Sequence, residues 1–123
     1  MRILLVEDNP MNLELETDLL ELHGHEVFGA GNAEEGLRMA RELMPDLILM
    51  DVSLPGMDGL EATHQLHQDP TTHHLRVVAL TAHAMPADEE RARQAGCCGY
   101  ITKPIDTRTF VDQVESYQSG QES

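Results

Sequence analysis

Asp46-Leu47-Ile48-Leu49-Met50-Asp51 is the stretch that decides the fold of this chain. Four consecutive apolar residues read as a strand buried on both faces, and the run stops at a carboxylate. An acid there lies at the carboxyl edge of a sheet, where open α/β folds place their ligands. The pattern recurs at Ile3-Leu4-Leu5-Val6, which ends in the pair Glu7-Asp8. With these two strands side by side, three carboxylates converge, an arrangement that needs a hard cation or a strong positive partner. The chain's one lysine, Lys103, also follows a strand-like run, Gly99-Tyr100-Ile101-Thr102. An acid cluster with one positioned amine is a site for a metal ion and a phosphoryl group.

Outward from these anchors, strand-like and helix-like segments alternate five times. The first strand, Arg2 to Val6, precedes an amphipathic helix from Pro10 to about His23. Met11, Leu15, Leu19 and Leu22 fall on one face of that helix, with Asn9 as N-cap, Pro10 at the first helical position and Gly24 as the stop. Glu26-Val27-Phe28 is a short second strand ending at Gly29. Asn32 caps a second helix that turns Ala33, Leu37, Ala40 and Met44 inward, with Glu35 placed for a capping box and Pro45 ending it. The turn-rich Leu54-Pro55-Gly56-Met57-Asp58-Gly59 leads to a third helix over roughly 58–67. Val77-Val78-Ala79-Leu80 is the fourth strand, ending at Thr81. A fourth helix covers roughly 86–95, with a weakly apolar face of Met85, Ala92 and Ala95. A last helix from about 107 to 117 buries Phe110, Val111 and Val114. This order predicts an α/β fold: a five-stranded doubly wound parallel sheet with five helices on its two faces and right-handed crossovers. Strand ends one, three, four and five carry Glu7/Asp8, Asp51, Thr81 and Lys103, and the second carries no chemistry. That distribution places the site at a topological switch point beside the first and third strands.

At 123 residues the chain has the size of one domain. It shows no apolar run long enough to span a bilayer and no signal-peptide pattern. A net charge of −14 argues against gripping nucleic acid, whose phosphates need basic patches. Cys97 and Cys98 are adjacent, a poor geometry for a disulfide, and read as reduced thiols of a cytoplasmic protein.

Val6-Glu7-Asp8-Asn9, Asp46 to Asp51, Leu54 to Gly59, Leu80-Thr81-Ala82 and Tyr100-Ile101-Thr102-Lys103-Pro104, taken in order and at this spacing, resemble the receiver domain of two-component response regulators. The resemblance covers 1–118, with 119–123 a polar tail or the start of a linker. It implies a flavodoxin-like sheet of strand order 2-1-3-4-5 and a Mg²⁺-dependent phosphoacceptor switch. By the same resemblance Asp51 takes a phosphoryl group from a phosphohistidine of a histidine kinase or phosphotransfer protein. Asp8, Asp51 and the Ser53 backbone carbonyl are implied as Mg²⁺ ligands, with Glu7 acting through a water. Thr81 and Lys103 hold the phosphoryl group, and Thr81 and Tyr100 form the switch that alters the face of the fourth helix, fifth strand and fifth helix. Docking of the donor falls on the first helix near Met11, Asn12 and Leu15. The Lys103-Pro104 bond is often cis in this family. The downstream partner is an effector protein or an output domain, with no direct contact to nucleic acid or membrane. The receiver promotes only its own phosphorylation and dephosphorylation. Ser53 and His83 occupy positions that tune phosphoryl lifetime, and Glu7 stands where aspartate is also common. Thr81-Ala82-His83-Ala84-Met85 resembles stand-alone regulators and receivers of hybrid kinases. The start at Met1 fits a stand-alone regulator or an N-terminal receiver.

Rival readings are weaker on residue grounds. A haloacid-dehalogenase-type phosphohydrolase uses Asp-x-Asp, whereas Ser53 follows Val52 here. A constitutive adaptor has no need of a complete acid–threonine–lysine set. His64, His67, His73 and His74 lack cysteine or acid partners at zinc spacing. Gly29-Ala30-Gly31 followed by Glu34 puts a negative charge where a pyrophosphate would sit.

Overall fold

Parallel neighbours cannot be joined by tight turns, so each apolar run must be followed by a crossover long enough to return to the same sheet edge. The computed structural model, which describes residues 1–54, 56–82 and 85–117, supplies those crossovers as helices. The elements run β1 (Arg2–Val6), α1 (Pro10–Leu22), β2 (Glu26–Ala30), α2 (Ala33–Leu43), β3 (Leu47–Asp51), α3 (Gly59–Gln68), β4 (Val77–Thr81), α4 (Pro86–Ala95), β5 (Gly99–Thr102) and α5 (Phe110–Glu115). The strands form one parallel sheet in the order β2-β1-β3-β4-β5. Pro55, His83 and the tail residues 119–123, for which the sequence carries expectations, lie outside the described residues.

Alternation along the strands assigns each side chain to one of two cores. Leu4, Val6, Ile48, Met50, Val77 and Ala79 meet Ala33, Leu37 and Ala40 of α2, Ala62 and Leu66 of α3, and Ala92 of α4. Ile3, Leu5, Leu47, Leu49, Val78, Leu80 and Ile101 meet Leu20 of α1 and Phe110, Val111 and Val114 of α5. Burial of each large aliphatic side chain contributes about 1.5–3 kcal/mol, which explains why β1, β3 and β4 read as continuous apolar runs.

The predicted caps form. Asn9 Oδ1 accepts from the backbone N–H of Met11 at 3.0 Å and of Asn12 at 3.1 Å. Asn32 Oδ1 accepts from Glu35 N–H at 2.8 Å, and Glu35 reaches back to the Gly31 N–H at 3.1 Å instead of that of the cap residue.

Five local expectations change. Met11 and Leu22 are each 79% exposed and Leu15 is also exposed, so three residues of the predicted inner face of α1 point outward and only Leu19 packs, partly buried, against the core. The buried residues of α1 are Glu16 and Leu20, with Leu13 partly buried. The phase is set by β2: Gly29 leaves room for Leu13, whose Cδ1 lies 3.2 Å from where a Cβ on Gly29 would sit. Met44 does not continue the inner face of α2, because it is the left-handed C-cap (φ 48°) and stays exposed. β2 extends through Ala30, paired with Val6. α5 begins at Phe110, with 107–109 forming a turn, and Met85 before α4 is exposed.

Candidate functional site

The sheet order puts β1 and β3 side by side, so their carboxyl ends deliver acids to one spot. The nearest oxygens of Glu7, Asp8 and Asp51 lie within 4.8 Å of one another. Glu7 and Asp51 are each only 1% exposed, while Asp8 is open to solvent. Three acids this close repel, and the donors around them show how the fold contains that repulsion. Lys103 Nζ donates to Asp51 Oδ2 at 2.9 Å and to Glu7 Oε1 at 3.3 Å. The Ser53 backbone N–H donates to Asp51 Oδ1 at 2.9 Å, and the Asn9 N–H donates to Glu7 Oε2 at 3.1 Å.

Each arm of the site is held by the element that carries it. Lys103 follows β5, and its backbone N–H donates to the Thr81 carbonyl at 2.6 Å, tying the lysine to the end of β4. The Lys103-Pro104 peptide is cis, as the resemblance implies. Thr81 is buried one residue past Leu80, which stands in register with Asp51. Gly59 opens α3 directly under Asp51: a Cβ there would collide with the Asp51 carbonyl oxygen and lie 2.8 Å from Met50 Cγ. Only hydrogen at this position lets α3 start so close to the strand end.

Electrostatics follow burial first. Desolvation pushes the Glu7 carboxyl up, and the Asp51 charge adds to this, while the Asn9 hydrogen bond and the Lys103 charge oppose it. For Lys103 burial favours the neutral amine, but its hydrogen bonds and charge contacts with Asp51 and Glu7 outweigh that and hold it above its ordinary value. The ammonium, Glu7 and Asp51 therefore form one interdependent buried cluster, in which loss of the ammonium leaves two uncompensated carboxylates. Its composition suits a hard divalent ion: all candidate ligands are oxygens, and the exposed Asp8 leaves an approach for solvent.

Tyr100 lies on the outer side of this end of the sheet. Its hydroxyl donates to Glu89 Oε2 of α4 at 2.7 Å. Tyr100, Thr81 and Ser53 line one cavity of about 160 Å³ between the site and α4. The structure thus brings together Glu7, Asp8, Asp51 and Lys103 by direct geometry, with Ser53, Thr81 and Tyr100 around one adjoining space. Sequence reasoning overlooked Gly59 as a positioning residue and Glu16 as a buried acid. The signal for Glu16 was present, since it shares a helical face with Leu13 and Leu20.

No helix among the described residues is long and apolar enough to cross a membrane. The family model for the response regulator receiver domain matches residues 3–115. The polar-differentiation response regulator DivK of Brucella anthropi is 48% identical over 115 residues, covering 94% of each chain, and that of Brucella ovis is 47% identical over the same length. Among solved structures, a CheY-like response regulator receiver domain protein from Methanospirillum hungatei superposes with TM-score 0.87 at 29% identity, covering 98% of this chain and 94% of that one. The receiver domain of a sensor histidine kinase from Pseudomonas aeruginosa, solved with a magnesium ion coordinated in its active-site cleft, superposes with TM-score 0.85 at 33% identity over 94% of this chain and 95% of that one. Acid-lined strand ends, the strand order 2-1-3-4-5 and this likeness over nearly the whole length lead to one conclusion: the chain belongs to the response regulator receiver domain family.

Proposed function

We infer that this receiver accepts a phosphoryl group on Asp51 from a phosphohistidine of a histidine kinase or phosphotransfer protein, and that partner binding changes as a result. The carrying observation is the position of Lys103 Nζ, 2.9 Å from one oxygen of a buried aspartate at the mouth of an acid cluster. In this reading Asp51 Oδ2 attacks phosphorus while the bond to the donor histidine nitrogen breaks, leaving an acyl phosphate. Asp8, Asp51, the Ser53 carbonyl and, through a water, Glu7 would hold Mg²⁺, which supplies charge neutralisation to the acids and to the transferring phosphoryl oxygens. The Ser53 N–H orients the nucleophile by fixing its Oδ1. Lys103 exchanges its Asp51 partner for a phosphoryl oxygen, and the Thr81 hydroxyl donates to another.

The cavity shared by Thr81 and Tyr100 supports a switch built on these two residues. As Thr81 is drawn toward the phosphoryl group, the Tyr100 ring turns into the vacated space and releases Glu89. The face made by α4, β5 and α5 then presents a different surface to an effector protein or output domain. Phosphorylation biases two arrangements of existing elements. The domain thus promotes its own phosphorylation and dephosphorylation in the cytoplasm and turns over no other substrate, and it makes no direct contact with nucleic acid or membrane. Ser53 contributes to phosphoryl lifetime.

Intact-mass measurement after incubation with acetyl phosphate and Mg²⁺ tests this reading. One hydroxylamine-labile phosphoryl group is expected on the wild type, and none on Asp51→Asn or when Mg²⁺ is omitted. An adduct of the same stoichiometry on Asp51→Asn would remove Asp51 from its role.

A further inference from the structure

The acid pocket has a neighbour that no step above uses. Glu16, near the middle of α1, is 2% exposed, and its Oε1 has no hydrogen-bond partner among the described residues. A buried carboxyl without a partner is costly, and the surrounding structure normally supplies one. Glu16 lines a cavity of about 280 Å³ together with Leu15 of α1, Ala82 beyond β4, and Lys103, Pro104 and Ile105 beyond β5. Among these residues Lys103 is the only cation. The ammonium carries three hydrogens, and two are engaged by Asp51 and Glu7. Its flexible four-carbon stem reaches from a backbone anchored to Thr81, so the charged end can change partners while the strand end stays still.

We propose that Glu16 is a positioning residue for Lys103: its carboxyl is a second seat, reached through the shared cavity, for the ammonium when a bound cation draws the Asp51 and Glu7 oxygens away. This rests on the reading of Asp51 as phosphoacceptor and deepens it. An occupied second seat withholds Lys103 from the incoming phosphoryl group, so Glu16 slows acceptance when it is ionised and is neutral toward it when protonated. Among the described residues the charged groups that act on Glu16 are Glu7 at the end of β1, Asp51 at the end of β3 and Lys103 beyond β5, and Ala82 on the β4 side carries none. Burial, with the charges of Glu7 and Asp51, pushes the Glu16 carboxyl up to about 7 against the pull of Lys103. The competition therefore changes within the neutral pH range.

Because Lys103 is the only lysine of the chain, its side-chain ammonium and Cε resonances need no assignment in protein labelled at lysine. The first measurement follows those resonances against pH with saturating Mg²⁺, in wild type, Glu16→Gln and Glu16→Leu. An inflection near neutral pH in the wild type and its loss in both variants is expected. The same response in all three proteins would overturn the second seat, whether or not Asp51 accepts phosphate. The second measurement is the rate of phosphorylation by acetyl phosphate at about pH 6 and about pH 8. The ratio of the Glu16→Leu rate to the wild-type rate is expected to grow by about threefold or more between them. A ratio that is constant with pH, or a slower variant at high pH, would overturn the proposal. Absence of phosphorylation in every protein would instead refute the Asp51 reading, leaving the resonance result to decide the placement of Lys103. Should the leucine variant not fold, the near-isosteric glutamine carries both measurements.

Discussion

Replacing Glu16 by leucine should make this protein more stable, and increasingly so as the pH rises. In the unfolded chain the carboxyl ionises near its ordinary 4.5, whereas in the folded protein it ionises at about 7. Each tenfold difference in proton affinity corresponds to about 1.4 kcal/mol, so the fold bears a cost of about 3–4 kcal/mol once the group is ionised in both states. The sign comes from the raised value. Below about pH 4.5 the group is protonated in both states and contributes no penalty. Between there and about pH 7 the unfolded chain ionises more readily, and stability falls. Above that window the full penalty is present. Relaxation of the surroundings and solvent screening lower the effective cost of a buried charge, which brings the expected gain for Glu16→Leu to about 1–3 kcal/mol at high pH. Glu16→Gln should show the same loss of pH dependence with a smaller gain, since a buried amide still needs partners. Urea unfolding followed by circular dichroism, in metal-free buffer from about pH 5 to about pH 8, measures the difference between variant and wild type. The rising contribution of Glu7, also shifted upward by burial, is common to both and cancels to first order. A difference that does not grow across this window, or a wild type more stable than the leucine variant at high pH, would refute the burial argument.

Lys103→Ala should lower stability by about 2 kcal/mol in metal-free buffer, because the buried Asp51 and Glu7 carboxylates lose their cation. The loss should shrink as the pH falls and Glu7 takes up a proton, and Mg²⁺ should raise the melting temperature of this variant more than that of the wild type. Gly59→Ala should cost about 1–3 kcal/mol by driving a Cβ into the Asp51 carbonyl and Met50. Gly31→Ala, at a position open to solvent with nothing nearby, is the control and should change stability by less than about 0.5 kcal/mol in the same urea experiment. Asn9→Ala removes the cap of α1 and should cost about 1 kcal/mol by thermal unfolding. Tyr100→Phe and Glu89→Ala each break the bond between β5 and α4, so in a double-mutant cycle the double variant should lose less stability than the two single losses added together.

The strands, their order along the chain and the chemistry at their ends were legible in the sequence because a strand buried on both faces leaves no choice of phase. Ile3 to Val6, Leu47 to Met50 and Val77 to Leu80 must be covered on both sides, and the residue after each of these runs must lie at a sheet edge. The caps at Asn9 and Asn32 were legible for a similar local reason: a side-chain oxygen satisfies N–H groups two or three residues on, with no help from the rest of the fold. The orientation of α1 was not local. Leucines at 13, 15, 19, 20 and 22 permit two apolar faces, and the choice was made by β2, where Gly29 admits Leu13. That choice turned Met11, Leu15 and Leu22 outward and carried Glu16 into the interior, where its carboxyl came within reach of the acid pocket's field. The partner of Tyr100 and the steric demand for Gly59 were likewise set only when α4 and α3 packed against the sheet. Residue type and period therefore determined which acids and which amine reach the sheet edge. Helix packing, which has more than one solution for the same stripe of leucines, decided which further groups surround them.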